Sequence, residues 1–86
     1  MRIRRSRLDI YAEILEVIST RRAITKTHIS YHANLSFRQV QKYLSFLLEW
    51  GLIREVKLEN RSTYEITEKG KLFLESFTQV IELTTK

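Results

Sequence analysis

Apolar residues return along the first part of the chain at helical spacing. Leu8, Tyr11, Ala12, Leu15 and Ile18 share one face at 3.6 residues per turn, and Ile10, Ile14 and Val17 widen the stripe. Ser6 is placed to cap a helix beginning at Arg7, with Asp9 in its positive first turn, and the period predicts a helix to about Thr20. After the polar pair Arg21-Arg22, Thr25 can cap a short second helix, Lys26 to His32, whose inward residue is Ile29. Ala33-Asn34-Leu35 breaks the period. Ser36 then caps a third helix in which Phe37, Val40, Leu44, Leu47 and Leu48 form the buried stripe, and Gly51 ends it.

Beyond Gly51 the period shortens to two. Val56 and Leu58 fall on one face, Glu55, Lys57 and Glu59 on the other, and a second run from Thr63 to Ile66 puts Tyr64 and Ile66 together. The polar stretch Glu59 to Ser62 has hairpin-loop length, so the runs should pair antiparallel through a turn that contains no glycine. Thr67 can cap a last helix of about 15 residues with Phe73, Leu74, Phe77, Val80 and Ile81 on one broad side. The order helix, short helix, tight turn, longer helix, hairpin, helix predicts an α+β fold, mainly α. It is a winged helix-turn-helix of three helices, a two-stranded wing and a C-terminal helix. A basic arm, residues 1–7, precedes a single domain, residues 8–86, whose C-terminal helix over about 68–83 is the expected dimerisation element.

Composition narrows the function. A chain of 86 residues has room for one core and none for the large α/β scaffolds that house most metabolic enzymes. The absence of cysteine excludes disulfides, thiolate metal sites and a thiol nucleophile. With only two glycines there is no phosphate-cradling loop, and His28 and His32 without a carboxylate cluster make a poor ligand set. Neither catalysis, nor a metal, nor a cofactor, nor a small-molecule ligand is expected. No apolar run approaches the ~18 residues of a membrane span, and the opening Met-Arg-Ile-Arg-Arg lacks the apolar core of a secretory signal, so a cytoplasmic protein without a membrane partner is expected. Fifteen Lys and Arg against ten Asp and Glu give +5, an excess that favours a polyanionic partner.

Several stretches together resemble a known family. They are the run Arg7 to Leu15, Thr25-Lys26-Thr27-His28-Ile29, Ala33-Asn34-Leu35-Ser36-Phe37, Tyr43-Leu44, Gly51-Leu52-Ile53 and Tyr64-Glu65-Ile66-Thr67-Glu68-Lys69-Gly70. At these spacings the chain resembles the archaeal winged-helix regulators and chromatin-type proteins of the Sso10a type, from about Arg7 to Phe77, with Ala-Asn-Leu-Ser-Phe and Ile-Thr-Glu-Lys-Gly specific as a pair. The resemblance implies binding to double-stranded DNA, association with the nucleoid and a homodimer. Proteins of this type join protomers through a long C-terminal helix that looks like an antiparallel coiled coil. Here only about 16 residues follow Gly70, so the seam must be shorter.

The residues support DNA independently. The side of the third helix opposite its apolar stripe carries Arg38, Gln39 and Lys42, with Ser36 at the N-terminus. Arginine can donate two hydrogen bonds to guanine, glutamine can bracket adenine, and lysine and a helix N-terminus suit phosphate. Lys26 and Thr27 open the second helix, where free backbone N–H groups and a cation can clamp a phosphate, and Arg61 at the hairpin tip can meet the backbone or the minor groove. Arg4 and Arg5 in the arm would grip further phosphates. Tyr43, Phe46 and Trp50 leave the main stripe; packing is their favoured role, with Tyr43 the nearest of them to DNA. The expected function is a transcriptional regulator that inserts the helix from Ser36 into the major groove. The alternatives are a weakly specific chromatin protein and a winged helix that docks other proteins. Dimerisation is assigned to Phe73, Leu74, Phe77, Val80 and Ile81.

Overall fold

A computed structural model describes the backbone of residues 6–21 and 23–84, and the side chains of these as far as Phe77. Arg4 and Arg5 of the arm, and the side chains of Val80 and Ile81, lie outside the described residues. The elements in chain order are α1 (Arg7–Ser19), β1 (Ile24–Thr25), α2 (Lys26–Ala33), α3 (Phe37–Glu49), β2 (Ile53–Leu58), β3 (Arg61–Ile66) and α4 (Glu68–Thr84). The winged helix-turn-helix read from the periodicity is the architecture found.

Local chemistry sets the boundaries. Ser6 caps α1 in a reciprocal box with Asp9: its Oγ accepts from the Asp9 N–H at 3.1 Å, and the Asp9 carboxylate accepts from the Ser6 N–H at 3.0 Å. α2 ends on Asn34 in the left-handed region, φ 56 and ψ 50, where the Leu35 N–H reaches back to the Ser30 carbonyl at 3.1 Å. α3 ends the same way on Gly51, φ +74, with the Leu52 N–H donating to the Leu47 carbonyl at 2.9 Å. Each cap turns the chain sharply, and each places an apolar residue, Leu35 or Leu52, in the core immediately afterwards.

Two features of the sheet differ from the expectation. A third strand, β1, pairs antiparallel with β3 (Ile24 with Tyr64, Thr25 with Thr63), giving the order β1-β3-β2. Two residues are too few to show a period, so pattern could not reveal it. The hairpin turn is also tighter. Leu58 pairs with Arg61, leaving Glu59 and Asn60 as a two-residue turn, both at positive φ (49 and 68), so Arg61 and Ser62 belong to the strand. Positive φ at both central positions is the type I′ arrangement, whose twist matches that of the strands, and asparagine tolerates it. Leu58, next to the turn at the end of β2, is exposed.

The core draws on every layer: Ile14, Leu15 and Ile18 from α1, Ile29 and Ala33 from α2, Val40, Leu44 and Leu47 from α3, with Ile24, Ile53 and Tyr64 from the sheet. Phe73 and Leu74 of α4 pack against it, partly buried. Two residues assigned to the apolar stripes stand outside this core: Leu8, 49% exposed at the start of α1, and Phe37, 53% exposed at the start of α3. Both occupy a first helical turn, and the Phe37 ring there meets the Lys26 ammonium of α2. α4 docks through Gly70, where a Cβ would collide with the Leu52 carbonyl oxygen and come within 2.7 Å of Ile66 Cγ1. Thr67 secures the junction, its hydroxyl donating to the Gly51 carbonyl at 2.6 Å and accepting from the Gly70 N–H at 3.1 Å.

Candidate nucleic-acid interface

With Val40, Leu44 and Leu47 turned inward, the opposite side of α3 is fixed by helical geometry. Arg38, Lys42, Ser45 and Glu49 follow one another at alternating steps of four and three residues, forming a single exposed line up the helix. Among the described residues neither Arg38 nor Lys42 enters an ion pair. Their charges therefore face solvent in the first two turns. Glu49 closes the line with an acidic group, so the cationic part is confined to the N-terminal end.

Ser36 and Gln39 have work within the protein. The Ser36 hydroxyl accepts from the Gln39 N–H at 3.1 Å and the Gln39 Oε1 accepts from the Ser36 N–H at 3.0 Å, completing a second capping box. The carbonyl end of Gln39 is thus committed to the helix, and only its amide nitrogen is left to face outward. Tyr43 is half buried, its ring edge-on to Tyr11 at 5.1 Å, while Trp50 meets Tyr11 at 5.2 Å and stacks on Phe46 at 5.7 Å. This cluster ties α3 to α1 and accounts for the aromatics off the main stripe. Burial, followed by the neighbouring Tyr43, pushes the Tyr11 hydroxyl above the ordinary tyrosine pKa, with Arg7 acting in the opposite direction.

Lys26 and Thr27 lie at the start of α2, where the Thr25 hydroxyl accepts the His28 N–H at 3.4 Å. Strand β1 places this helix start beside the wing. Thr25, Lys26, Thr27, His28, Arg61 and Ser62 line one open groove of about 440 Å³, so Lys26 and Arg61, distant in sequence, share a surface. A second groove of about 230 Å³ runs between α3 and the wing, with Gln41, Ser45, Glu55 and Tyr64 among its lining residues. Burial, with Glu55 in second place, raises the Tyr64 pKa and keeps it neutral in this wall. The wing carries its own ion pair, Arg54 Nε to Glu65 Oε1 at 3.0 Å. Periodicity alone did not single out Gln41, Ser45 or an exposed Phe37. Counting on from Arg38 by four and three would have found Ser45. Gln41 depends on how α2 crosses α3, which no local pattern encodes.

Among the described residues no group of three or more His, Cys, Asp or Glu side chains could hold a metal ion, and no helix is long and apolar enough to cross a membrane. A family profile described as winged helix-turn-helix matches residues 4–85. The chain belongs to the winged helix-turn-helix family. An uncharacterised protein of Methanocaldococcus jannaschii is 37% identical over 82 residues, which is 95% of this chain and 79% of that one. A second uncharacterised protein of the same organism is 32% identical over 81 residues; this chain spans 36% of its length. Among solved structures, Sso10a-2, a DNA-binding protein from Sulfolobus solfataricus, superposes with a TM-score of 0.83 at 30% identity, over 94% of this chain and 83% of that one. These relatives agree with the archaeal winged-helix resemblance carried by the sequence motifs.

Proposed function

We propose that this winged helix-turn-helix protein binds double-stranded DNA as a transcriptional regulator, with α3 entering the major groove and the wing resting on the backbone. The observation that carries this reading is the outward line Arg38, Lys42 and Ser45 on α3, cationic where the helix begins, with neither Arg38 nor Lys42 in an ion pair among the described residues. Arg38 addresses a guanine edge, while Lys42, Lys26 and Arg61 take phosphates, and the Thr27 amide at the start of α2 adds a neutral donor to the same contact. The similarity to Sso10a-2, described as a DNA-binding protein, supports the reading. Arg4 and Arg5 extend the phosphate contacts from the arm, and binding of this kind places the protein on the nucleoid.

A homodimer through α4 belongs to the same proposal. Phe73, Leu74 and Phe77 are only partly covered by their own domain. Val80 and Ile81 continue the apolar side in sequence.

Anisotropy titration of a labelled duplex tests DNA binding. Replacing Arg38 and Lys42 together by alanine is expected to weaken binding by about tenfold or more, while the melting temperature stays within a few degrees, since both side chains are exposed. Equal affinity for wild type and double variant would overturn the assignment.

A further inference from the structure

Phe37 and Gln41 stand one helical turn apart on the flank of the Arg38 line, and Lys26 from α2 engages both. The Lys26 Nζ lies 5.4 Å from the centroid of the Phe37 ring and donates to Gln41 Oε1 at 3.0 Å. An ammonium has donors and no acceptor, so the glutamine must face it with its carbonyl. The amide nitrogen of Gln41, with its two hydrogens, is therefore turned away from the lysine. Phe37, one helical turn before it, is 53% exposed and stands on the first turn of the helix proposed to enter the groove. The trio thus offers a fixed apolar surface beside a hydrogen-bond donor.

Among base edges in the major groove, one matches that pair. Thymine places its C5-methyl group next to the O4 acceptor; guanine offers two acceptors and no methyl, cytosine a donor, and adenine an acceptor beside a donor. The geometry points to thymine as the base read by Phe37 and Gln41, the ring covering the methyl group and the amide donating to O4, with Lys26 as the positioning residue that sets both. This specificity rests on the proposed binding of duplex DNA by α3.

The test uses base analogues. Duplexes selected by the wild-type protein from a random pool are re-made with each thymine in turn replaced by deoxyuridine, which removes only the methyl group, or by 5-methylcytosine paired with guanine. The second analogue keeps the methyl and exchanges the acceptor for a donor. At one thymine per site, deoxyuridine is expected to weaken wild-type binding about fourfold, the worth of one buried methyl, and 5-methylcytosine about tenfold or more. Phe37→Ala should bind the thymine and uracil duplexes equally, and Gln41→Ala should narrow the penalty of 5-methylcytosine. The uracil comparison uses the unaltered protein, so it stands even if a variant folds poorly. Wild-type indifference to deoxyuridine at every thymine, or a folded Phe37→Ala that keeps the discrimination, overturns the assignment. Wild-type binding without any sequence preference also overturns it while leaving DNA binding intact, whereas failure to bind any duplex overturns both.

Discussion

Asn34 shows how one residue sets the relation between two helices. Its backbone adopts φ 56 and ψ 50, a left-handed conformation that ends α2 and lets Ser36 start α3 two residues later. Asparagine and glycine visit this region at little cost, whereas a β-branched residue pays about 1–2 kcal/mol. Asn34→Val is therefore expected to lower the melting temperature by about 5–10 °C, and Asn34→Gly to stay within about 0.5 kcal/mol of wild type. A valine variant melting with wild type would contradict the conformation. The break at Ala33-Asn34-Leu35 and the caps Ser6, Thr25 and Ser36 were legible in the sequence because a cap needs only its own side chain and the next turn. Phe37 was not. Its spacing fits the buried stripe, yet in the fold its ring meets the Lys26 ammonium and stays outside the core cluster.

Between elements, close approach decides what periodicity cannot show. Gly70 sits where α4 crosses the end of α3 and the base of the sheet, against the Leu52 carbonyl and the Ile66 side chain. A glycine near the start of a helix lowers helix propensity, so from sequence it counts against the element it anchors. Gly70→Ala is expected to destabilise the fold by about 2–3 kcal/mol in chemical denaturation, because the obstructing atom is backbone and cannot rotate away. An alanine variant as stable as wild type would show that α4 does not pack as described. Strand β1 carries the same lesson. Its two residues have no pattern of their own, yet they fasten the start of α2 to β3 and so bring Lys26 and Arg61 onto one groove.

For the molecule as a whole, +5 is a modest charge, and its placement matters more than its size. Lys26 at the start of α2 and Arg61 of the wing share one groove, while Arg38 and Lys42 stand on the exposed line of α3 that Glu49 closes. The order of elements and the cationic flank of α3 were readable from period and caps; the grooves beside it needed the packing of three elements. Dimerisation belongs to this scale too. Sedimentation equilibrium at micromolar concentration is expected to give twice the 10.3 kDa chain mass, and a clean monomer would remove α4 as a subunit seam. A dimer would present its two α3 helices to half-sites about 34 Å apart, one duplex turn.

The orientation of α3 is the claim on which the functional reading depends, and amide chemical-shift mapping of the labelled protein during titration with a duplex tests it most directly. The shifts are expected to gather at residues 26–28, 36–46 and 57–62 and to spare the solvent side of α1. Shifts gathered on α1 or α4, with residues 36–46 unmoved at saturation, would contradict it.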